Sequence, residues 1–211
     1  MTCSSFLADD LTPLVLDTSV LINLHACSYG EQILAAIPNS LAVPEIVVRE
    51  LEHETSRTNG EHQFLANLIA QQQVRQVPLD KPGWQIFEKL TSAKPSLGDG
   101  EAATIAIAAT GHFRPVIDDA KGRRSVELMM SKNAAAWSLD LLVHPAVQES
   151  LGNDTYIEAV YLALRDGRMR IDGGQCDAVV ELIGIPRASN CPSLPGFKAL
   201  HNLWRQQGCV A

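Results

Sequence analysis

Short apolar runs that end on an acidic residue, each followed by an amphipathic stretch, set the pattern of this chain. Leu14-Val15-Leu16 reads as a buried strand stopping at Asp17, and Val20, Leu21, Ile22 and Leu24 resume at helical spacing. Ser40 to Val43 form the next strand, closed by Pro44, and Glu45 to Glu54 the next helix, for which Pro44 is a suitable start. Thr55 to Gly60 read as a polar loop, His62 to Gln73 as an amphipathic helix and Val74 to Leu79 as a short strand. Lys81 to Leu90 predict a helix whose Trp84 and Phe87 belong to the core. The alanine-rich run after Gly98 predicts a closely packed helix. Phe113 to Ile117 form a second buried strand, interrupted only by Pro115, which ends on Asp118-Asp119 and opens a helix through Met130.

Beyond residue 133 the pattern weakens. It predicts a last strand over Ala135 to Val143, a helix from Asp154 to Arg165 and a turn at Asp166-Gly167-Arg168. A helix over Cys176 to Ile183, a Pro-rich stretch from Pro186 to Pro195 and a terminal helix around Phe197 to Gln207 follow. Strands alternating with helices predict an α/β fold with a parallel sheet, in which ligands bind just beyond the carboxyl ends of the strands. Asp17 stands at such an end.

Composition narrows the classes. The 211 residues allow one domain with elaborations or one domain plus an appendage, and 46% apolar with 19% charged residues suffices for a sizeable core. A net charge of -7 and a pI near 5.3 argue against non-specific adhesion to nucleic acid through a basic surface. They leave room for a locally basic groove and for carboxylates neutralised by a cation. Cys3, Cys27, Cys176, Cys191 and Cys209 are scattered without a C-x-x-C pair, which predicts reduced thiols in a cytoplasmic protein. The pattern predicts neither a signal peptide nor a membrane span.

The acidic residues carry the chemistry. Asp17 is either a helix cap, as Asp often is, or a ligand aimed into the crevice, with Ser19 beside it to hold the turn or bind a ligand oxygen. Glu50 lies four residues after Ile46 and three after Val47, on the inward side, where Glu is rare without a partner. Glu52 and Glu54 look outward, and His53 has no ligand-spaced mate. Asp99 is explained by its place at a helix start, worth about 0.3–1 kcal/mol, whereas Glu101 sits four before Ile105 on the inward face. Asp118 and Asp119 repel each other by roughly 1–4 kcal/mol at contact distance, a cost that a bound cation removes. Lys121, Arg123 and Arg124 either relieve it, contact phosphates or form a solvated basic turn.

Asp17, Glu50, Glu101 (with Asp99 as its alternate) and the Asp118/Asp119 pair come from four segments on one rim of the sheet. Oxygen ligands without His or Cys select Mg²⁺ or Mn²⁺. One such ion, or two about 3.5–4 Å apart, would activate water for attack on a phosphodiester and neutralise the leaving oxygen.

The stretches LVLDTSVLINL, VPEIVVREL, LGDGEAATIAIA and VIDDAKGRR resemble, in order and spacing, the four acidic motifs of the PIN-domain family, in the branch with G-E-A and I-D-D motifs. The likeness covers about residues 13 to 131. It implies a three-layer α/β/α sandwich and a metal-dependent ribonuclease, with a VapC-type toxin held by an antitoxin and a homodimer among the expectations. By resemblance Asp17, Glu50, Glu101 and Asp119 take the places of the family's acids. Asp118, Asp99 and Ser19 are then neighbours or further metal-shell residues. This divides the chain into a nuclease domain over 10–145 and a mainly helical carboxy-terminal extension over 146–211. Two other readings stand beside the endoribonuclease: a catalytically silent binding or scaffold module, and a metal-dependent DNA flap or end nuclease, which needs more basic surface than this chain has. LDTS argues against a haloacid-dehalogenase phosphatase, since it lacks the second Asp two residues on.

Overall fold

The computed structural model describes residues 5–131 and 134–210; Cys3 lies outside them. Its elements run in order β1 (Leu14–Leu16), α1 (Thr18–Ala26), α2 (Gly30–Ala36), β2 (Leu41–Pro44), α3 (Glu45–Glu50), α4 (Glu54–Asn59), α5 (Glu61–Ala70), β3 (Val74–Val77) and α6 (Lys81–Ser92). There follow α7 (Asp99–Gly111), β4 (Arg114–Val116), α8 (Ala120–Met129), α9 (Ser138–Leu142), α10 (Pro145–Leu151) and α11 (Asn153–Arg165). The chain ends in α12 (Cys176–Ile183), α13 (Ile185–Ala188) and α14 (Phe197–Gln206). Two compact units emerge: residues 9–22 with 38–137, and the described residues of 1–8, 23–37 and 138–211.

The first unit holds the sheet. Its strands lie in the order β3-β2-β1-β4 and all pair parallel. Val15 sits opposite Ala42 on one side and Pro115 on the other, and Leu16 opposite Val116. A strand buried on both faces reads as an unbroken apolar run, and every residue of β1 and β2 is buried. With helices packed around it, the sheet makes a three-layer α/β/α arrangement, as expected. Pro115 fits because β4 is an edge strand. Arg114 N–H reaches Pro13 and Val116 C=O receives Asp17 N–H, so the donor that proline lacks falls on the outer side.

The helix α7 is apolar all round, and every residue from Gly100 to Ala108 except Glu101 is buried. Ala102 and Ile105 meet Leu90, Leu97, Ile117 and Val126 in one core cluster. Ile107 and Ala108 meet Val15, Ala42 and Phe113 in another. Small alanines let this helix approach the sheet closely, which fixes where its first turn and its acids stand.

Four expectations need correction. The helix expected over Glu45 to Glu54 ends at Glu50; a tight turn follows, closed by Glu52 N–H to Arg49 C=O at 3.1 Å and His53 N–H to Glu50 C=O at 3.3 Å. The loop expected over Thr55 to Gly60 is α4, which buries no residue and so leaves no apolar stripe to read. Ala135 to Val143 is not a strand: Ala136 makes a single bridge to Val116, and the run continues as α9. A continuous apolar run does not tell a buried strand from a buried helix. Trp84 is 45% exposed and packs edge-on against Phe87 rather than in the core.

The second unit is helical among its described residues. Here α2 packs on α10, and α11 on α10 and α12. Gly167 lets the α11 end close on Asn23, whose Oδ1 would lie 2.8 Å from a Cβ at that position. No helix among the described residues is long and apolar enough to cross a membrane.

Candidate active site

Asp17 follows directly on β1 and starts α1, its carbonyl accepting from Val20 N–H at 3.2 Å and Leu21 N–H at 3.3 Å. It is 2% exposed. Oδ2 accepts from Ser19 Oγ–H at 2.7 Å and from Ser19 N–H at 3.3 Å. Oδ1 is buried with no hydrogen-bond partner. Capping therefore accounts for one of its two oxygens. Burial drives the carboxyl's proton affinity above the ordinary aspartate range; Ser19's donors oppose this, and the charge of Glu50 adds to it.

Glu50 is the last residue of α3, carried toward the site because β2 passes into that helix without a loop. Its carboxylate is gripped at both oxygens. Thr18 Oγ–H donates to Oε2, and Gly100 N–H donates to Oε1 at 2.8 Å. Glu101 stands half-buried in the first turn of α7, with Gly98 N–H 3.4 Å from its Oε2. Burial raises its proton affinity first, then the charges of Asp17 and Asp119, while Lys121 lowers it. Asp119 caps α8 and accepts from Lys121 N–H at 2.8 Å. Asp118, 3% exposed, precedes it in the short link between β4 and α8.

Asp17 thus feels the charge of Glu50, and Glu101 the charges of Asp17 and Asp119, which links acids from four separate segments. Asp99 is exposed at the first position of α7, so Glu101 is the member of that pair inside the cluster. Ser19 holds Asp17. Lys121 and Arg124 are exposed. Arg123 differs from the expectation that it is a substrate contact. Its guanidinium donates to the carbonyls of Ile117, Ala135 and Ala136 at 3.2, 3.1 and 3.0 Å and lies 3.7 Å from the Trp137 ring centroid, a role in the fold.

Sequence reading passed over Thr18 and Gly100. The Thr beside Asp17 and the Gly just before Glu101 were the available signals.

A buried acceptor left without a partner costs about 1–3 kcal/mol, and clustered carboxylates repel one another. A hard dication relieves both, and the donor set is all oxygen. Among the described residues no three His, Cys, Asp or Glu side chains stand as a ready-made cage. Mg²⁺ does not need one, since it keeps several waters and takes one or two carboxylates. The unpartnered Oδ1 of Asp17 amid these acids fits such an ion.

No curated protein and no solved structure matches the chain significantly. The family model DUF3368, described as a PIN domain, matches residues 13–135, which contain β1 through β4 and every acid of the cluster. PIN domains carry a nuclease-type function and generally use divalent metals. By this match over more than half its length, with the parallel sheet and the acids in their expected order, the chain belongs to the PIN-domain family.

Proposed function

We propose that the protein is a divalent-metal-dependent endoribonuclease that hydrolyses RNA phosphodiester bonds at the carboxyl edge of the sheet. One observation carries the reading: Asp17 is buried among acids with an oxygen that nothing in the protein satisfies. One or two of Asp17, Glu101 and Asp119 would hold Mg²⁺ or Mn²⁺ directly, and the rest, with Asp118, would face its waters. A bound ion supplies water activation and neutralises charge at the leaving oxygen. Ser19 fixes the rotamer of Asp17 and so the direction of its open oxygen. Glu50 adds a fixed negative charge. Lys121 and Arg124, exposed on α8, are the cations for the substrate's phosphates, which they position without reading sequence. With a net charge of -7, the chain favours a short, locally held RNA segment over a long duplex.

The likeness to VapC-type toxins extends the proposal to control: a cytoplasmic toxin, dimeric, held by an antitoxin. A small DNA-binding protein encoded next to it and co-purifying with it is the expected mark.

The test is cleavage of a panel of labelled RNAs and matching DNAs with Mg²⁺, Mn²⁺ or EDTA, beside Asp17→Asn. Metal-dependent RNA cutting that vanishes in the variant supports the proposal. Cutting of DNA alone moves the protein to the flap or end nucleases. An intact panel, with no Mn²⁺ uptake by calorimetry, makes the acids structural and the protein a binding module.

A further inference from the structure

We propose that Thr18 and Gly100 are positioning residues that fix the carboxylate of Glu50 in the acidic cluster; the inference rests on the metal-dependent reading of that site. Both oxygens of Glu50 are engaged, Oε2 by the Thr18 hydroxyl and Oε1 by the Gly100 N–H, and the two donors come from the starts of different helices. Gly100 is glycine for lack of room. A Cβ there would overlap Glu50 Oε2 and lie 2.7 Å from Thr18 Oγ1 and 3.1 Å from Glu50 Cδ. Its backbone is ordinary helix, so the requirement is close approach rather than an unusual φ.

The clamp links three of the cluster's segments: Thr18 adjoins Asp17, Glu50 ends α3, and Gly100 adjoins Glu101. A carboxylate on α3 is thereby tied to the residue after Asp17 and the residue before Glu101. Without the clamp, Glu50 rotates toward water and the spacing of Asp17 and Glu101 relaxes. Groups that orient metal ligands from behind typically alter metal affinity or activity by about 10–100-fold when removed.

The experiment is Mn²⁺ titration calorimetry on the full chain and on Thr18→Val, Thr18→Ser, Gly100→Ala and Asp17→Asn, with a thermal melt of each. RNA cleavage kinetics on the same proteins follow. Thr18→Val is near-isosteric and keeps the fold intact, so it carries the test if Gly100→Ala fails to fold. Expected is Mn²⁺ binding about 10–100-fold weaker in Thr18→Val, recovered in Thr18→Ser, with kcat reduced and KM for RNA unchanged. Wild-type Mn²⁺ affinity in Thr18→Val, while Asp17→Asn has lost it, overturns the clamp alone. No Mn²⁺ uptake by the wild type brings down the metal reading and the clamp with it.

Discussion

Asp17→Asn is expected to make the protein more stable while destroying its function. The variant keeps the shape of the side chain and the acceptor that Ser19 holds. It removes a charge that is 98% shielded from solvent and repelled by the charge of Glu50. Removing that buried, incompletely satisfied charge is worth about 1–3 kcal/mol. In a domain of this size each 1 kcal/mol moves Tm by roughly 2–4 °C. The metal-free variant should therefore melt about 2–12 °C above the metal-free wild type, by differential scanning calorimetry in EDTA. The pH dependence fixes the cause. Asp17 binds its proton more tightly in the folded state than its ordinary value near 3.8 implies, so its stabilising contribution is present in acid and lost as pH rises through the folded value. The variant's advantage should be largest near neutral pH and shrink as pH falls toward the ordinary aspartate value. A variant less stable than wild type at neutral pH, or an advantage constant with pH, would refute the reasoning.

Saturating Mn²⁺ should raise the wild-type Tm, by about 2.7 kcal/mol of stabilisation at a hundred times Kd, and leave Asp17→Asn unmoved. Arg123→Ala should lower stability by about 2–4 kcal/mol in urea melts, since three backbone carbonyls lose a charged donor and Trp137 loses its cation; a loss confined to activity would contradict the structural role. Lys121→Ala and Arg124→Ala together should raise KM for RNA and flatten its salt dependence with Tm within about 2 °C of wild type. Gly167→Ala should destabilise by about 1–3 kcal/mol, because the new Cβ meets Ala163 C=O and Asn23 Oδ1 at 2.8 Å; an unchanged melt would mean that the α11 end yields freely.

The buried strands and the acids that end them were legible because a parallel sheet writes them plainly. An apolar triplet at β1 has no solvent-facing position to break it, and Asp17, like the Asp118/Asp119 pair, marks the point where the apolar run stops. The spacing of Glu101 to Ile105 points inward, but sequence alone leaves Asp99 and Glu101 as alternates, because both stand in the first turn of α7. What stayed hidden has physical causes. α4 buries nothing, and α9 is buried on every side, so neither leaves a helical stripe. α10 carries a readable signal in Pro145 at its first position, with His144 capping Ala146 N–H at 3.2 Å, whereas α2 has no side-chain cap to mark its start. Arg123 looked like its exposed neighbours Lys121 and Arg124. Its role depends on carbonyls at 117, 135 and 136, which no local pattern brings together. Thr18 and Gly100 lie 32 and 50 residues from Glu50, and only the fold reveals that one carboxylate needs both.

Pro115 has a consequence for how copies of this protein meet. An exposed sheet edge invites a strand from another chain. On the outer side of β4 the proline offers no N–H, its carbonyl is taken by Ala136 N–H at 2.9 Å, and Arg123 occupies the carbonyls of Ile117, Ala135 and Ala136. The opposite edge, β3, shows solvent Arg75 and Gln76. Neither edge is an apolar template for strand addition. The chain itself thus closes the outer side of β4 against an added strand.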